Sequence, residues 1–170
     1  MNKSMEAKEE KILTVIKDFS KKLSKFKDGR IDYSNSDIAP VITVFIKYKD
    51  RILLMKRSEK VLAYKKKWNT VAGYLDEIKP IQEKVVEEIE EELGIEKNNI
   101  SSIFLGESYE FKDNEINKTW IVFPVLVELE KESEIKLDWE HTEYKWIKPK
   151  ELENFDIVPN LQESLKRVIK

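Results

Sequence analysis

Residues Gly73 to Ile95 read GYLDEIKPIQEKVVEEIEEELGI. The run NTVAGYLD, which begins after Trp68, has the composition of a strand ending in a glycine loop, and Pro80 to Leu93 has that of a helix. Proline is at home in a first turn, whose amides have no partner within the helix, and Gly94 just past the end provides a stop. At about 100° per residue, Val85, Val86, Ile89 and Leu93 share one face, which must turn to the core. That orientation sorts the glutamates. Glu88 and Glu92 border the buried stripe, Glu91 lies just beyond them, and Glu87 and Glu90 point further away. The i,i+4 pairs Glu87 with Glu91 and Glu88 with Glu92 are each unfavourable by about 0.2–0.5 kcal/mol unless a cation intervenes. Glu88 and Glu92 stand roughly 6 Å apart along the helix axis, a span that one or two oxygen-ligated divalent ions bridge. Hard carboxylate oxygens select magnesium, or manganese, over softer metals. A glutamate run taken alone more often marks a solvated acidic face, so its neighbours decide what it means.

Working outward, Val41–Tyr48 and Arg51–Arg57 are β-rich runs flanking Lys49 and Asp50, the pattern of a hairpin. Ile100–Phe111 and Lys118–Leu129 are two more, separated by KDNEIN, which has turn chemistry. A strand around Tyr144–Ile147 and a helix from about Asn160 to Ile169 complete the series. Strands and helices intermixed in this order predict an α/β fold with a mixed sheet between helices. Upstream, Met5–Lys27 reads as a helix, because Ile12, Ile16, Phe19, Leu23 and Phe26 recur at alternating spacings of four and three and Gly29 follows as a stop. That stripe needs a cover, either the rest of the same chain or a second copy in a homodimer. Asp32–Pro40, rich in Ser, Asn and Asp, reads as a linker. The expected organisation is a helix and linker over residues 1–37 and a main domain over 38–170.

With 170 residues the chain is long enough for one well-buried core. Lysine and arginine total 31 against 33 acidic residues, which leaves no positive excess to hold duplex nucleic acid. The lack of cysteine excludes disulfides, thiolate zinc sites and a cysteine nucleophile, and suits a reducing compartment. The amino terminus MNKSMEAKEE lacks the apolar core of a secretory signal, and no stretch approaches the roughly 18 apolar residues of a membrane span. The expectation is a cytoplasmic protein with no membrane partner. His141 is the sole histidine, which rules out a multi-histidine metal site, and it reads as a surface residue.

The segment 73–95 resembles the Nudix box, whose pattern is G, five residues, E, seven residues, then R-E-U-x-E-E-x-G-U with U aliphatic. Gly73, Glu88, Ile89, Glu91, Glu92, Gly94 and Ile95 stand at the required spacing, in the strand, loop and helix context that the family needs. The likeness extends from about Pro40 to the carboxyl terminus through RILLMKRS, KKKWNTVAGY and EHTEYKWI. It implies a Nudix-like α/β/α sandwich with a mixed sheet, to which the amino-terminal helix is an addition. It implies a magnesium-dependent hydrolase that cleaves the pyrophosphate link of an organic diphosphate, of which a nucleoside derivative is the expected kind. Carried over by position, Glu88, Glu91, Glu92 and the carbonyl of Ala72 are the implied metal ligands. A further carboxylate falls at Glu140, six residues before Trp146, with Glu143 in reserve. For the base that takes a proton from water, Glu91 is favoured, ahead of Glu88 and Glu140.

Two box positions depart from the pattern: the early glutamate is Lys79 and the arginine is Glu87. Both signs are reversed together, which predicts a swapped ion pair that ties the loop to the helix. Lys65 and Lys67, with Arg57, are candidates to meet substrate phosphates, although a solvated basic loop explains the lysines equally well. Trp68 reads as a core-closing residue, while Tyr109, Phe111 and Trp120 are either core or stacking surface. Three other readings compete: a Nudix-like nucleotide-binding module without hydrolysis, an isopentenyl-diphosphate isomerase, and an unrelated acidic-helix interaction protein, which would make Gly73, Gly94 and the glutamate spacing a coincidence. The isomerase depends on a cysteine that this chain lacks.

Overall fold

A computed structural model of the chain describes residues 3–169; Met1, Asn2 and Lys170, at the outer ends of the two expected segments, lie outside them. In chain order the elements are α1 (Lys3–Lys22), β1 (Ile38–Tyr48), β2 (Arg51–Arg57), β3 (Trp68–Asn69), β4 (Val71–Tyr74), α2 (Ile81–Leu93), β5 (Ile100–Leu105), β6 (Tyr109–Asp113), β7 (Lys118–Leu129), β8 (His141–Ile147) and α3 (Leu161–Lys166). Short 3-10 turns occupy Lys97–Asn99 and Pro149–Asn154. No helix among the described residues is long and apolar enough to cross a membrane.

The strands form one mixed sheet. Strands β1 and β7 run parallel at its centre, and the remaining pairs are antiparallel. One edge of β1 is shared by β4 and β2, and the outer edge of β7 by β5 and β6. Successive residues of a strand point to opposite faces, and β1 follows this from Ile42 to Ile46: Ile42, Val44 and Ile46 enter one core, while Phe45 enters another. Leu53 and Met55 of β2 follow the first set, and Ile52 and Leu54 the second. The first core is closed by α1 and α2, and the second by the Pro149–Asn154 turn and α3. The result is the α/β/α sandwich with its added amino-terminal helix.

Helix α1 ends at Lys22, before the expected Lys27. Beyond it the chain reverses through a turn in which the Gly29 amide donates to the Phe26 carbonyl, and Lys25 bridges to Ile31. Phe26 therefore leaves the stripe and stands 46% exposed. Ile12 and Ile16 are buried, with Phe19 and Leu23 packed on the same core, so the rest of the chain covers these four residues of the stripe. The segment read as a linker is tied down: Tyr33 is buried and its hydroxyl donates to the Leu75 carbonyl at 2.7 Å. The expected single run Ile100–Phe111 breaks at Gly106, where a Cβ would meet the Arg167 carbonyl at 2.8 Å and Val168 Cγ1 at 2.9 Å. The carboxyl-terminal segment crosses too closely for a side chain there.

The segment from Lys3 to Asp37 also holds the loop that leads into α2. The Ile31 amide donates to the Asp76 carbonyl at 2.8 Å, and the Ile81 amide, at the first turn of α2, donates to Glu9 Oε1 at 2.9 Å. Pro80 offers no side-chain cap, so α1 supplies one from a distance. We expect Ile16→Ala to lower unfolding free energy by about 2–5 kcal/mol, whereas Phe26→Ala stays within about 0.5 kcal/mol, both read from urea denaturation. Equal losses would show that α1 does not share the core.

Candidate active site

The carboxylates of α2 are arranged by two constraints acting together. Ile81, Val85, Ile89 and Leu93 are fully buried and fix the helix against the first core. One turn of rotation then drives Glu92 into the wall between core and cleft, where it is 4% exposed, and leaves the Glu88 side chain 13% exposed. Glu91, further round, remains exposed. On the facing strand, β4 is held to β1 with Ile42 opposite Gly73 and Thr43 opposite Ala72. A Cβ on Gly73 would lie 2.7 Å from both Cδ and Oε1 of Glu88, so this glycine gives the carboxylate its room.

Around these groups carboxylates outnumber the cations. Glu88 receives the Lys84 ammonium at 2.8 Å, and Lys84 also reaches Asp76 at 3.3 Å. Arg30 stands 3.7 Å from the other oxygen of Asp76. Glu92 Oε2 is buried without a hydrogen-bond partner, and His141 Nε2 lies 4.0 Å away, too far to serve as one. Burial pushes the Glu92 carboxyl well above the usual carboxylate range, aided by the charges of Glu88, Glu140 and Asp138 and opposed by a hydrogen bond with the Ala72 backbone. Burial likewise raises Glu88, against the pull of Lys84, and raises Glu140, with Asp138 adding to it and Arg57 opposing. Each of these carboxylates would be relieved by a cation.

Among the described residues, no three His, Cys, Asp or Glu side chains converge as a ready-made ion cage. Glu88 is engaged by Lys84 and Glu91 is solvated. The unpartnered Glu92 oxygen, the desolvated Glu88 and the space above Gly73 nonetheless match what a hard divalent ion requires: oxygen donors, excess negative charge and room. Ala72, Glu88, Glu91, Glu92 and Glu140 all line one cleft of about 940 Å³.

The NUDIX domain family matches residues 38–168. The chain belongs to the Nudix family. Solved structures agree on the fold. A MutT protein from Methanosarcina mazei Go1 is 20% identical, with 78% of this chain and 94% of that one covered at a TM-score of 0.63. A MutT Nudix hydrolase from Burkholderia pseudomallei is 22% identical, covering 77% and 98% at 0.61. An Ap4A hydrolase from C. elegans is 18% identical, covering 76% and 93% at 0.60. No curated protein sequence matches the chain.

The two departures from the Nudix box meet each other. Lys79 Nζ lies 2.9 Å from both oxygens of Glu87 and 2.6 Å from Glu77, so the charge-reversed pair exists and joins loop to helix. The hydrogen bond to Glu77, and then that to Glu87, raise the Lys79 ammonium above its ordinary range despite partial desolvation. Of the expected phosphate-binding cations, Arg57 lines the cleft, whereas Lys65 and Lys67 do not. Lys65 is exposed, and Lys67 pairs with Asp156 at 2.7 Å. Trp68 packs edge-on to Phe155 in the second core. Tyr109, Phe111 and Trp120 line the cleft, and Trp120 approaches Tyr74, whose ring stacks on Tyr33.

The sequence reading placed His141 on the surface, and the structure corrects this: it is buried, with Nδ1 3.2 Å from Asp138. Burial lowers its pKa, so near neutral pH it is uncharged. Its local sequence, between Glu140 and Thr142, carries no signal of burial. Lys84 and Asp76 were also missed. The signal for Lys84 was its place one turn before Glu88 on the same helix face. Arg30 lies outside the family match, and only folding brings it to the cleft.

Lys79→Glu and Glu87→Arg are each expected to destabilise the chain by about 0.2–1 kcal/mol, and the double variant to recover most of that loss, as measured by urea unfolding. Strict additivity of the two losses would mean that the pair does not couple.

Proposed function

We propose that this chain hydrolyses the pyrophosphate bond of an organic diphosphate, of the nucleoside type, with a divalent cation, magnesium or manganese. The observation that carries the reading is the buried, unpartnered Glu92 oxygen beside Glu88, at the floor of a cleft large enough for a nucleotide. Glu88, Glu91, Glu92 and the Ala72 carbonyl would hold the cation. When bound, it activates water and stabilises the charge that gathers on the phosphates.

The chain's own residues divide the remaining work. Glu91 is exposed in the cleft and unengaged by lysine, which favours it as the group that takes the water proton. Glu88 is bound by Lys84, and Glu140, raised by burial and Asp138, is the alternative base. Arg57 donates Nε to the Ala63 carbonyl, which fixes its stem and leaves its terminal nitrogens as phosphate donors. Tyr74 and Trp120 present aromatic faces for a base. The Ap4A hydrolase among the structural neighbours agrees with a nucleotide substrate.

The test is a panel of nucleoside triphosphates, dinucleotides and nucleotide sugars assayed for phosphate and pyrophosphate release. Turnover is expected with magnesium or manganese, and Glu92→Gln is expected to reduce it by about a hundredfold or more with the fold retained. Undiminished turnover in excess chelator would sink the proposal. Binding without turnover would favour the nucleotide-binding module.

A further inference from the structure

Lys84 belongs to the acidic cluster but not to the Nudix pattern, since it falls in the seven unspecified residues between Lys79 and Glu87. Its side chain is only 11% exposed. A lysine so far from water must be paired. Its partners are Glu88 Oε1 at 2.8 Å and Asp76 Oδ1 at 3.3 Å, and all three residues line the cleft. A fixed positive charge therefore sits inside the cleft wall, on a carboxylate that the family likeness makes a metal ligand.

The cluster is divided by that charge. On one side, Asp76 and Glu88 share the ammonium, and Arg30 adds a second cation to Asp76. On the other, Glu92 is 4% exposed and, among the described residues, no lysine or arginine forms an ion pair with it; its Oε2, like Asp76 Oδ1, has no hydrogen-bond partner, but Asp76 has the Lys84 ammonium at 3.3 Å and Arg30 at 3.7 Å. Lys84 leaves Glu92 unsatisfied, and His141 Nε2, 4.0 Å away, is too far to serve as its hydrogen-bond partner. The demand for a further cation is thus concentrated at Glu92. A divalent ion placed next to the Lys84 ammonium would meet repulsion from a like charge in a poorly solvated wall.

We propose that the Lys84 ammonium takes the place of one cation in this cluster, so that the chain takes up a single divalent ion, at the Glu92 side, where an acidic cluster without this lysine would take two. The inference rests on the metal-dependent reading above. It makes Lys84 a positioning residue: it acts through Glu88 and sets the number of ions rather than touching the substrate.

Manganese titrated into the full chain, with free ion followed by electron paramagnetic resonance, counts the high-affinity ions. One ion per chain is expected for the wild type and for Lys84→Arg, which keeps the charge. Lys84→Met, which keeps the aliphatic stem, is expected to take up two. A second measurement covers the chance that Lys84→Met is too unstable to titrate. Manganese should then raise its thermal midpoint more than that of the wild type, because Asp76 and Glu88 have lost their partner. Two or more high-affinity ions in the wild type would overturn the proposal, as would an unchanged count in Lys84→Met or an equal thermal shift. No uptake at all by the wild type would overturn it together with the metal-dependent reading, whereas a count of two leaves that reading standing.

Discussion

Glu88 occupies the space that a side chain on residue 73 would fill. Everything in the cleft depends on that exclusion. With Glu88 seated over β4, its carboxylate is drawn out of water and has to be matched by charge, and Lys84 matches it from one turn earlier on the same helix. Lys84 in turn holds Asp76, and Asp76 meets Arg30 from the segment that precedes the family domain. A chain of charges thus runs from the amino-terminal segment to the box helix, starting from one missing methyl group.

The same helix explains why part of the fold was legible. The apolar period of α2, the turn residues Lys49 and Asp50, and the β-rich composition of β1 and β2 are local patterns, and these elements appear where the patterns place them. The Glu88 and Glu92 assignments needed only the direction of the apolar stripe. What escaped was set by contacts distant in sequence. Helix α1 stops early because Ile31 and Tyr33 are drawn to the loop at residues 75–76, and β5 and β6 separate because the carboxyl-terminal segment crosses at Gly106. His141 is buried because β8 pairs with β2 along its whole length and carries the ring in beside Glu92. Lys65 and Lys67 resembled a phosphate site by composition, yet neither lines the cleft.

The reversed pair at Lys79 and Glu87 shows how a motif departure is to be read. Two substitutions that each break a pattern look like decay when counted separately. Their mutual distance shows instead that attraction between loop and helix is retained with opposite sign. Charge complementarity does not depend on which partner carries which sign, so the constraint lies on the pair rather than on either residue.

The central parallel pairing has a consequence for how the chain reaches this state. Lys47 of β1 lies opposite Glu128 of β7, and the two form an ion pair across a sequence separation of 81. On a ribosome the hairpin of β1 and β2 emerges long before its central neighbour exists, leaving one edge of β1 with bare amides and carbonyls. Until β7 is made, that edge is a template open to any extended segment nearby. Loop closure over such a distance is slow compared with hairpin formation. The interval before β7 arrives is therefore when the open edge of β1 is most exposed to mispairing.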